Sequence, residues 1–479
     1  MAETLKEKTA KGLIWGAVNS GGTQVLSLLI GIFLARKLSP EEYGIVGMLA
    51  IFTAIATNIQ DSGFSNALIN KKDASDRDYN AVFWFNIIAS ASMYVILFFS
   101  APLIAAFFHQ PILEPLSHLL FINFLIASLG IVHNAYLTKN LMNREKATIA
   151  IAAVVLSGAC GIALAYLKFS YWSLVWQQIT YNAVTLIGRY YYSAWRPSWH
   201  FDFKPVKEMF GFSSKMLITT LVNTANQNLL TLLIGRYYTA HSLGNYTQAS
   251  KWEGMAHGFM NMTVAQVAQP VLASLNDDLD RQRRAFRKML RFAAFLSFPI
   301  MLGLALVSRE FIVITITEKW IDAVPLLQVL CLSGAFAPFY VLYQYLAISK
   351  GKSDVFMWCS LAQMVLQTMI VLLFRHQNIM SMVIAFSIFS IAWLLVWHLL
   401  TGRMIGLRLK DAIFDVMPFF LLSVIVVVIT YFLTASLESP WLSLISRMLI
   451  AVILYIALMK AFHVVIMDEA FHYLFGKKA

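Results

Sequence analysis

The sequence predicts an all-α polytopic membrane protein of about 14 transmembrane helices, and three observations lead there. Of its 479 residues, 59% are hydrophobic and only 13% charged, where a soluble chain carries about 25% charged residues. Mean hydropathy is +0.67. The apolar residues also fall in continuous runs of about 20, the length that crosses ~30 Å of hydrocarbon as a helix, rather than in the alternation of a β-barrel. So little charge cannot clothe a water-facing surface. A soluble enzyme, a secreted disulfide scaffold and a disordered chain are therefore excluded.

The spans follow in order. The first covers residues 12–35, behind a basic start that suits a signal peptide, but it is longer than an h-region and has no A-x-A cleavage site. It is expected to be retained. The second, 43–59, is introduced by Ser39-Pro40-Glu41-Glu42. Ser is a preferred N-cap, Pro suits the first helical position, and Glu at N3 closes a capping box. Spans at 80–108, 116–137, 147–167 and 171–193 complete one group. Next come 212–234, 246–272, 290–307, 323–349, 355–374 and 379–400, and the last two are 413–434 and 442–465.

With the N-terminus in the cytoplasm, alternate loops hold roughly three in four of the basic residues, as the positive-inside rule requires. The richest stretch runs from Arg281 to Arg291, followed by the segment from Arg189 to Lys215. An even number of spans returns Lys477 and Lys478 to the same side, so both termini are expected inside. The net charge of +12 is thus an orientation signal and implies no nucleic-acid partner. Cys160, Cys331 and Cys359 lie in apolar segments without metal-type spacing and read as small buried hydrophobes. Tyr190, Tyr191, Tyr192, Trp195 and Trp199 are expected to form an interfacial aromatic belt.

VNSGGTQVLSLLIG, from Val18 to Gly31, aligns without gaps on VNTANQNLLTLLIG, from Val222 to Gly235, with half the pairs identical. An even number of spans separates the copies, so both enter the membrane in the same direction, as in parallel-repeat transporters. The expected organisation is a six-helix lobe at 1–200, a second at 201–405, and two further helices with a cytoplasmic tail at 406–479. Two such lobes facing each other across a gap make an alternating-access layout.

Polar side chains within spans should face a neighbouring helix or a wet cavity. Ser20, Gln24 and Ser27 share one helix face, and Thr224, Asn228 and Thr231 repeat the pattern. Small polar residues also bind helices together, so both readings stand for these. Lys251, Glu253 and His257 lie in an otherwise apolar stretch, with Glu253, His257 and Asn261 at i, i+4 and i+8. Each ionised group at mid-bilayer costs about 2.5–3.5 kcal/mol on insertion scales. The cluster is expected either to face a water-filled cavity or to pair within itself. Asp61, Asn66, Arg189, Lys215 and Arg236 fall near span ends, where the interface solvates charge. Asp278-Leu279-Asp280 is a lone D-x-D, too little for a metal site. No Walker A, G-x-G-x-x-G, H-E-x-x-H or G-x-S-x-G motif occurs, so neither a catalytic site nor a cofactor is expected.

Four motifs carry a resemblance: KGLIWG at Lys11–Gly16, ARKLSPEEYG at Ala35–Gly44, DSGFSNALI at Asp61–Ile69 and FDFKPVKEMFGF at Phe201–Phe212. The chain resembles the Wzx-type flippases of the polysaccharide transporter family, in the multidrug/oligosaccharidyl-lipid/polysaccharide exporter superfamily. It is most similar there to the colanic- and teichuronic-acid exporters. The resemblance implies a bacterial plasma-membrane protein that carries undecaprenyl-pyrophosphate-linked oligosaccharide to the outer leaflet for lipopolysaccharide, capsule or exopolysaccharide synthesis. Membrane lipids and the glycan polymerase machinery are the implied partners, and an H⁺ or Na⁺ gradient the implied driving force. Lys251, with Arg236 or Arg189 at the cavity mouths, would then complement the pyrophosphate, and Glu253 with His257 would serve as a proton site. A multidrug antiporter of the same superfamily, a lipid II flippase and a membrane glycan polymerase are the alternatives. The short outer loops weigh against the polymerase.

Overall fold

The computed structural model describes residues 5–61, 64–71, 73–199, 202 and 204–462. Among these, eighteen α-helices form and no strand. Nine helical segments are long and apolar enough to cross a membrane, or ten if a pair bent by 118° at residues 38–39 counts as one span. Large apolar side chains such as Phe99, Leu373 and Ile453 stand exposed, as lipid-facing helices require. The protein is an all-helical, multi-span membrane protein.

The chain divides into two compact units, the first ending at Gly244 and the second beginning at Asn245. The first holds α1 (Leu5–Lys37), α2 (Pro40–Met48), α3 (Ala50–Asp61), α4 (Phe64–Asn70), α5 (Asp76–Phe108), α6 (Leu113–Leu120), α7 (Ile122–Lys139), α8 (Asn143–Tyr166), α9 (Trp172–Tyr192) and α10 (Lys204–Tyr237). It also takes the first turn of α11 (Ala240–Ser274). Small residues let α1, α8 and α9 approach closely: a Cβ on Gly158 would sit 2.2 Å from Ile30, and one on Gly161 3.0 Å from Gln177. α10 packs on α2, α3, α4 and α5.

The turn before α2 forms as its residues dictate. Ser39 is the N-cap, its N–H donates to Glu42 Oε2 at 2.6 Å, and the Glu42 N–H donates to Ser39 Oγ at 3.3 Å. The turn before α11 is built alike, with the Ser242 N–H donating to Thr239 Oγ1 at 3.2 Å. The two turns match at a spacing of 200 residues, since α1 and α10 end at Lys37 and Tyr237 while α2 and α11 begin at Pro40 and Ala240. Val18–Gly31 and Val222–Gly235 are separated by 204, so the second copy is four residues shorter ahead of its turn. Gly44 and Gly244 then lie where α2 crosses α11. A Cβ on Gly44 would fall 1.8 Å from the Ala240 carbonyl oxygen, and one on Gly244 1.7 Å from that of Pro40.

The connection from Ser193 to Trp199 corrects the expected aromatic belt. Trp195 is buried against Tyr79, Phe83 and His133. The segment is drawn onto α5 by hydrogen bonds, Ser198 N–H to Asn80 Oδ1 at 2.7 Å and Trp84 Nε1–H to the Ser198 carbonyl at 2.8 Å. Tyr191 and Trp199 do stand exposed. Beyond the connection, the Asp202 carboxyl is held below the usual carboxylate range, first by the Lys204 N–H and then by Arg77.

The second unit is organised on α12 (Leu279–Ile316), which packs on α13 (Ala323–Gly334), α14 (Ala337–Ser349), α17 (Leu409–Leu433) and α18 (Pro440–Ala461). α15 (Ser353–Phe374) and α16 (Ile379–Thr401) pack on each other and on α14. Its core includes Phe298 among Phe336, Phe339 and Phe420. Asp278 caps α12 by accepting from the Arg281 N–H at 2.9 Å, and Asp280 pairs with Arg283, so the D-x-D serves the helix start. Part of the basic run is committed to Asp415, which takes Arg287 in a two-pronged pair at 2.6 and 3.1 Å and Arg291 at 3.3 Å. The cysteines are unbridged.

Candidate functional site

In the first unit, α1, α7, α8 and α9 enclose a cavity of about 130 Å³ in which Lys146 and Arg189 meet Asn19, Asn134, Tyr181 and Thr185. Tyr181, Thr185 and Arg189 recur at i, i+4 and i+8 on α9, one continuous helix face. Lys146 is fixed by donating to Thr138 Oγ1 at 2.8 Å, and Thr138 in turn donates to the Asn134 carbonyl at 2.8 Å. Arg189 reaches across Gly130, whose carbonyl its Nη1 approaches to 3.5 Å. A Cβ on Gly130 would come within 3.3 Å of the Arg189 side chain. The glycine therefore leaves room for the guanidinium.

Two further atoms, Asn19 Oδ1 and Thr185 Oγ1, are buried there without a hydrogen-bond partner among the described residues. Among the described residues no carboxylate lines the cavity, and its two charged side chains, Lys146 and Arg189, are both cations. Its volume is near the ~150 Å³ that holds one benzene-sized group, room enough for a single phosphate group. Arg189 was singled out from the sequence as a cation near a span end. Lys146 was not, because it stands one residue before the expected span at 147.

The other expected positions in this unit are differently engaged. Ser20 is in α1, with its side chain outside the described ones, as are the side chains of Asp61, Asn66 and Lys215. Gln24 is exposed on α1. Thr224 is buried and accepts from Asn58 Nδ2 at 2.5 Å, tying α10 to α3. Asn228 folds back to donate to the Thr224 carbonyl at 2.9 Å. Arg236 donates to the Phe107 carbonyl and lies 2.9 Å from His109 Nδ1, closing the end of α5.

In the second unit, α11 carries Glu253 and His257 as a pair, Nδ1 to Oε1 at 3.1 Å, one turn apart. The carboxylate rests against Gly334 of α13, where a Cβ would come within 2.1 Å of Glu253 Oε1. Lys251 is two residues from Glu253, more than half a turn around the helix, and is half-buried. Asn261 opens instead into a cavity of about 360 Å³ with Gln344 and Tyr345, its Oδ1 buried without a partner among the described residues. The structure thus joins Glu253 to His257 and gives Asn261 other neighbours. Among the described residues no group of three His, Cys, Asp or Glu side chains is placed to hold a metal ion.

The family model described as "Polysaccharide biosynthesis protein" matches residues 33–325. The chain is 28% identical over 441 residues to the teichuronic acid biosynthesis protein TuaB of Bacillus subtilis, covering 91% of each. It is 26% identical to the lipopolysaccharide biosynthesis protein WzxC of Escherichia coli, over 74% of this chain and 72% of that one. It is likewise 26% identical to the succinoglycan biosynthesis transport protein ExoT of Rhizobium meliloti, over 77% of this chain and 75% of the relative. Among solved structures, the inward closed conformation of the lipid II flippase MurJ superposes with a TM-score of 0.77 at 16% identity, over 95% of this chain and all of that one. An inward-facing multidrug resistance MATE transporter of the MOP superfamily follows at 0.64 and 16%, over 80% and 94%. At that identity the likeness establishes a shared fold.

Proposed function

The chain belongs to the polysaccharide biosynthesis protein family, and from that premise we propose that it moves undecaprenyl-pyrophosphate-linked oligosaccharide units from the cytoplasmic to the outer leaflet of a bacterial plasma membrane. It is a multi-pass membrane transport protein rather than an enzyme. The observation that carries the finer reading is the cavity lined by both Lys146 and Arg189, with no carboxylate among its described lining residues. A pyrophosphate cannot enter hydrocarbon unaided, because an isolated ion loses its hydration and each unpaired polar group costs several kcal/mol. Paired cations supply charge-assisted hydrogen bonds to its oxygens, while the polyprenyl tail stays in lipid.

The organisation that fits this task is fourteen crossings, as two six-helix lobes and two C-terminal helices, with both termini cytoplasmic. In that orientation the ends of α7, α8 and α9 that bear Lys146 and Arg189 face the cytoplasm, where the cargo is made. The crossing at Gly44 and Gly244 lies at the outer ends of α2 and α11. Loaded from the cytoplasm, the protein works by alternating access, as repeat-built transporters do. Glu253 and His257 form the proton-coupling pair: with the proton bound the pair is neutral overall as carboxylate and imidazolium, and its release leaves the carboxylate held by a hydrogen bond from the neutral imidazole.

Deleting the protein from the bacterium that carries it tests the reading. Lipid-linked oligosaccharide should accumulate on the cytoplasmic leaflet, protected from membrane-impermeant periodate. Single repeat units accumulating outside would point to a polymerase. Unchanged glycan with raised drug sensitivity would point to a multidrug antiporter.

A further inference from the structure

α14 presents two faces to different surroundings. Phe339, Leu342, Tyr343, Leu346 and Ala347 are buried, and the helix packs on α12, α15 and α16. Val341, Gln344, Tyr345 and Ile348 recur at i, i+3, i+4 and i+7, a second face, and line the cavity of about 360 Å³ into which Asn261 opens. Ala265, one turn beyond Asn261 on α11, and Phe356 in the first turn of α15 complete the walls. All of these residues lie in the second unit, and none of them lines the cavity of Lys146 and Arg189.

Its polar atoms can reach a ligand. Asn261 Oδ1 is sealed off, but Asn261 Nδ2, both ends of the Gln344 amide and the Tyr345 hydroxyl are not, and none of them is hydrogen-bonded to a described group. Gln344 lies within a membrane span, where a polar side chain should face a wet cavity or a neighbour rather than lipid. Among the described residues the lining holds no charged side chain; two amides and a phenol stand against the ring faces of Tyr345 and Phe356. Phe356 is steadied by Trp397, with ring centroids 6.2 Å apart. An ion finds no counter-charge there, and burying an unpaired charge is costly. An acyl chain would leave the amides unpaired. A sugar ring suits both halves of the site, since its hydroxyls donate and accept as an amide requires and its C–H face can lie on an aromatic ring. The volume falls within the ~300–1,000 Å³ of small-ligand sites.

We infer that this cavity is a subsite for an uncharged pyranose. The Gln344 amide takes two neighbouring hydroxyls, accepting from one and donating to the other. Asn261 Nδ2 donates to a further ring substituent, and the Phe356 ring covers the C–H face. A uronic acid is disfavoured, because its carboxylate meets no cation on these walls. That the sugar belongs to the transported glycan rests on the proposed function; the recognition of a neutral ring does not.

The test is saturation-transfer NMR on the full-length protein in nanodiscs, without glycosidic detergent. The probes are the methyl glycosides of glucose, galactose and N-acetylglucosamine, with methyl glucuronide as the charged comparison. In the wild type at least one neutral glycoside should bind about fivefold or more tightly than the glucuronide. Gln344→Leu should weaken that glycoside by about fivefold, the loss of a pair of neutral hydrogen bonds. Ala265→Trp, which fills the cavity and leaves the polar groups in place, should abolish its signal, with thermal unfolding as the check on folding. No transfer to any neutral glycoside, equal binding of the glucuronide, or wild-type affinity in either folded variant overturns the inference. Movement of lipid-linked oligosaccharide between liposome leaflets is scored in parallel. Glycoside binding without that movement counts against the cargo and leaves the subsite standing, whereas movement without glycoside binding refutes the subsite alone.

Discussion

Gly244→Ala places one methyl group where the backbone of α2 already lies. The added Cβ would fall 1.7 Å from the Pro40 carbonyl oxygen and 2.5 Å from its carbon, and ordinary contact begins near 3.5 Å. The two helices must therefore part by roughly 1.5–2 Å, because both offending atoms are backbone and no rotamer relieves them. Overpacking of this kind costs about 1–3 kcal/mol, which lowers the population of the closed crossing by about 5–150-fold. The assay is a cysteine at the buried Ile45, in a background lacking Cys160, Cys331 and Cys359, labelled from outside by a membrane-impermeant maleimide. Labelling should accelerate by that factor in Gly244→Ala and similarly in Gly44→Ala, whose Cβ would meet the Ala240 carbonyl at 1.8 Å. The double variant should cost less than the sum, since helices already parted admit a second methyl freely. Unchanged labelling in a protein with an unchanged thermal midpoint would refute the reasoning.

Further expectations rest on other contacts. Arg189→Gln and Lys146→Gln should each weaken binding of a pyrophosphate-bearing lipid by roughly 10–100-fold, the worth of a charge-assisted hydrogen bond at about 1.5–3 kcal/mol; titration by fluorescence quenching reads this. Trp195→Ala should destabilise by about 3–5 kcal/mol as a core aromatic, seen as a lowered thermal midpoint, whereas an interfacial role predicts little change. Asp415→Ala frees Arg287 and Arg291, which are a third or more exposed and stay solvated, and should lower the midpoint less than Arg287→Gln with Arg291→Gln, which leaves the buried Asp415 carboxylate without a partner. Ser39→Ala removes an N-cap and should cost about 0.5–2 kcal/mol, read from the same melting curves.

The helical, multi-span character was legible because hydrophobic run length alone separates these helices from soluble ones. The turn before α2 was legible to the residue, because Ser39, Pro40 and Glu42 each act through local backbone chemistry. Its counterpart at Thr239 was not, since Ala240 and Ser242 replace the proline and the glutamate and the four-residue shortening hides the match. Trp195 was misjudged because composition near a span end signals an interface, while its burial depends on hydrogen bonds to Asn80 and Trp84 over a hundred residues away. Lys146 escaped notice for a related reason: one residue outside an apolar run reads as solvated, yet the neighbouring helices enclose it. Glu253 and His257 were expected to share a helix face, and the geometry joins them; which neighbour they would meet, Gly334 of α13, no local pattern contains.

The central claim is that this protein carries an anionic, glycan-bearing headgroup between leaflets using Lys146 and Arg189. Its most direct test is reconstitution of the full-length protein into liposomes with fluorescent undecaprenyl-pyrophosphate-linked oligosaccharide, scored by the fraction reaching the outer leaflet and quenched by dithionite. The wild type should equilibrate the lipid between leaflets, and Lys146→Gln/Arg189→Gln should do so at least tenfold more slowly while still folding. Equal rates for the wild type, the double variant and protein-free liposomes would contradict the account.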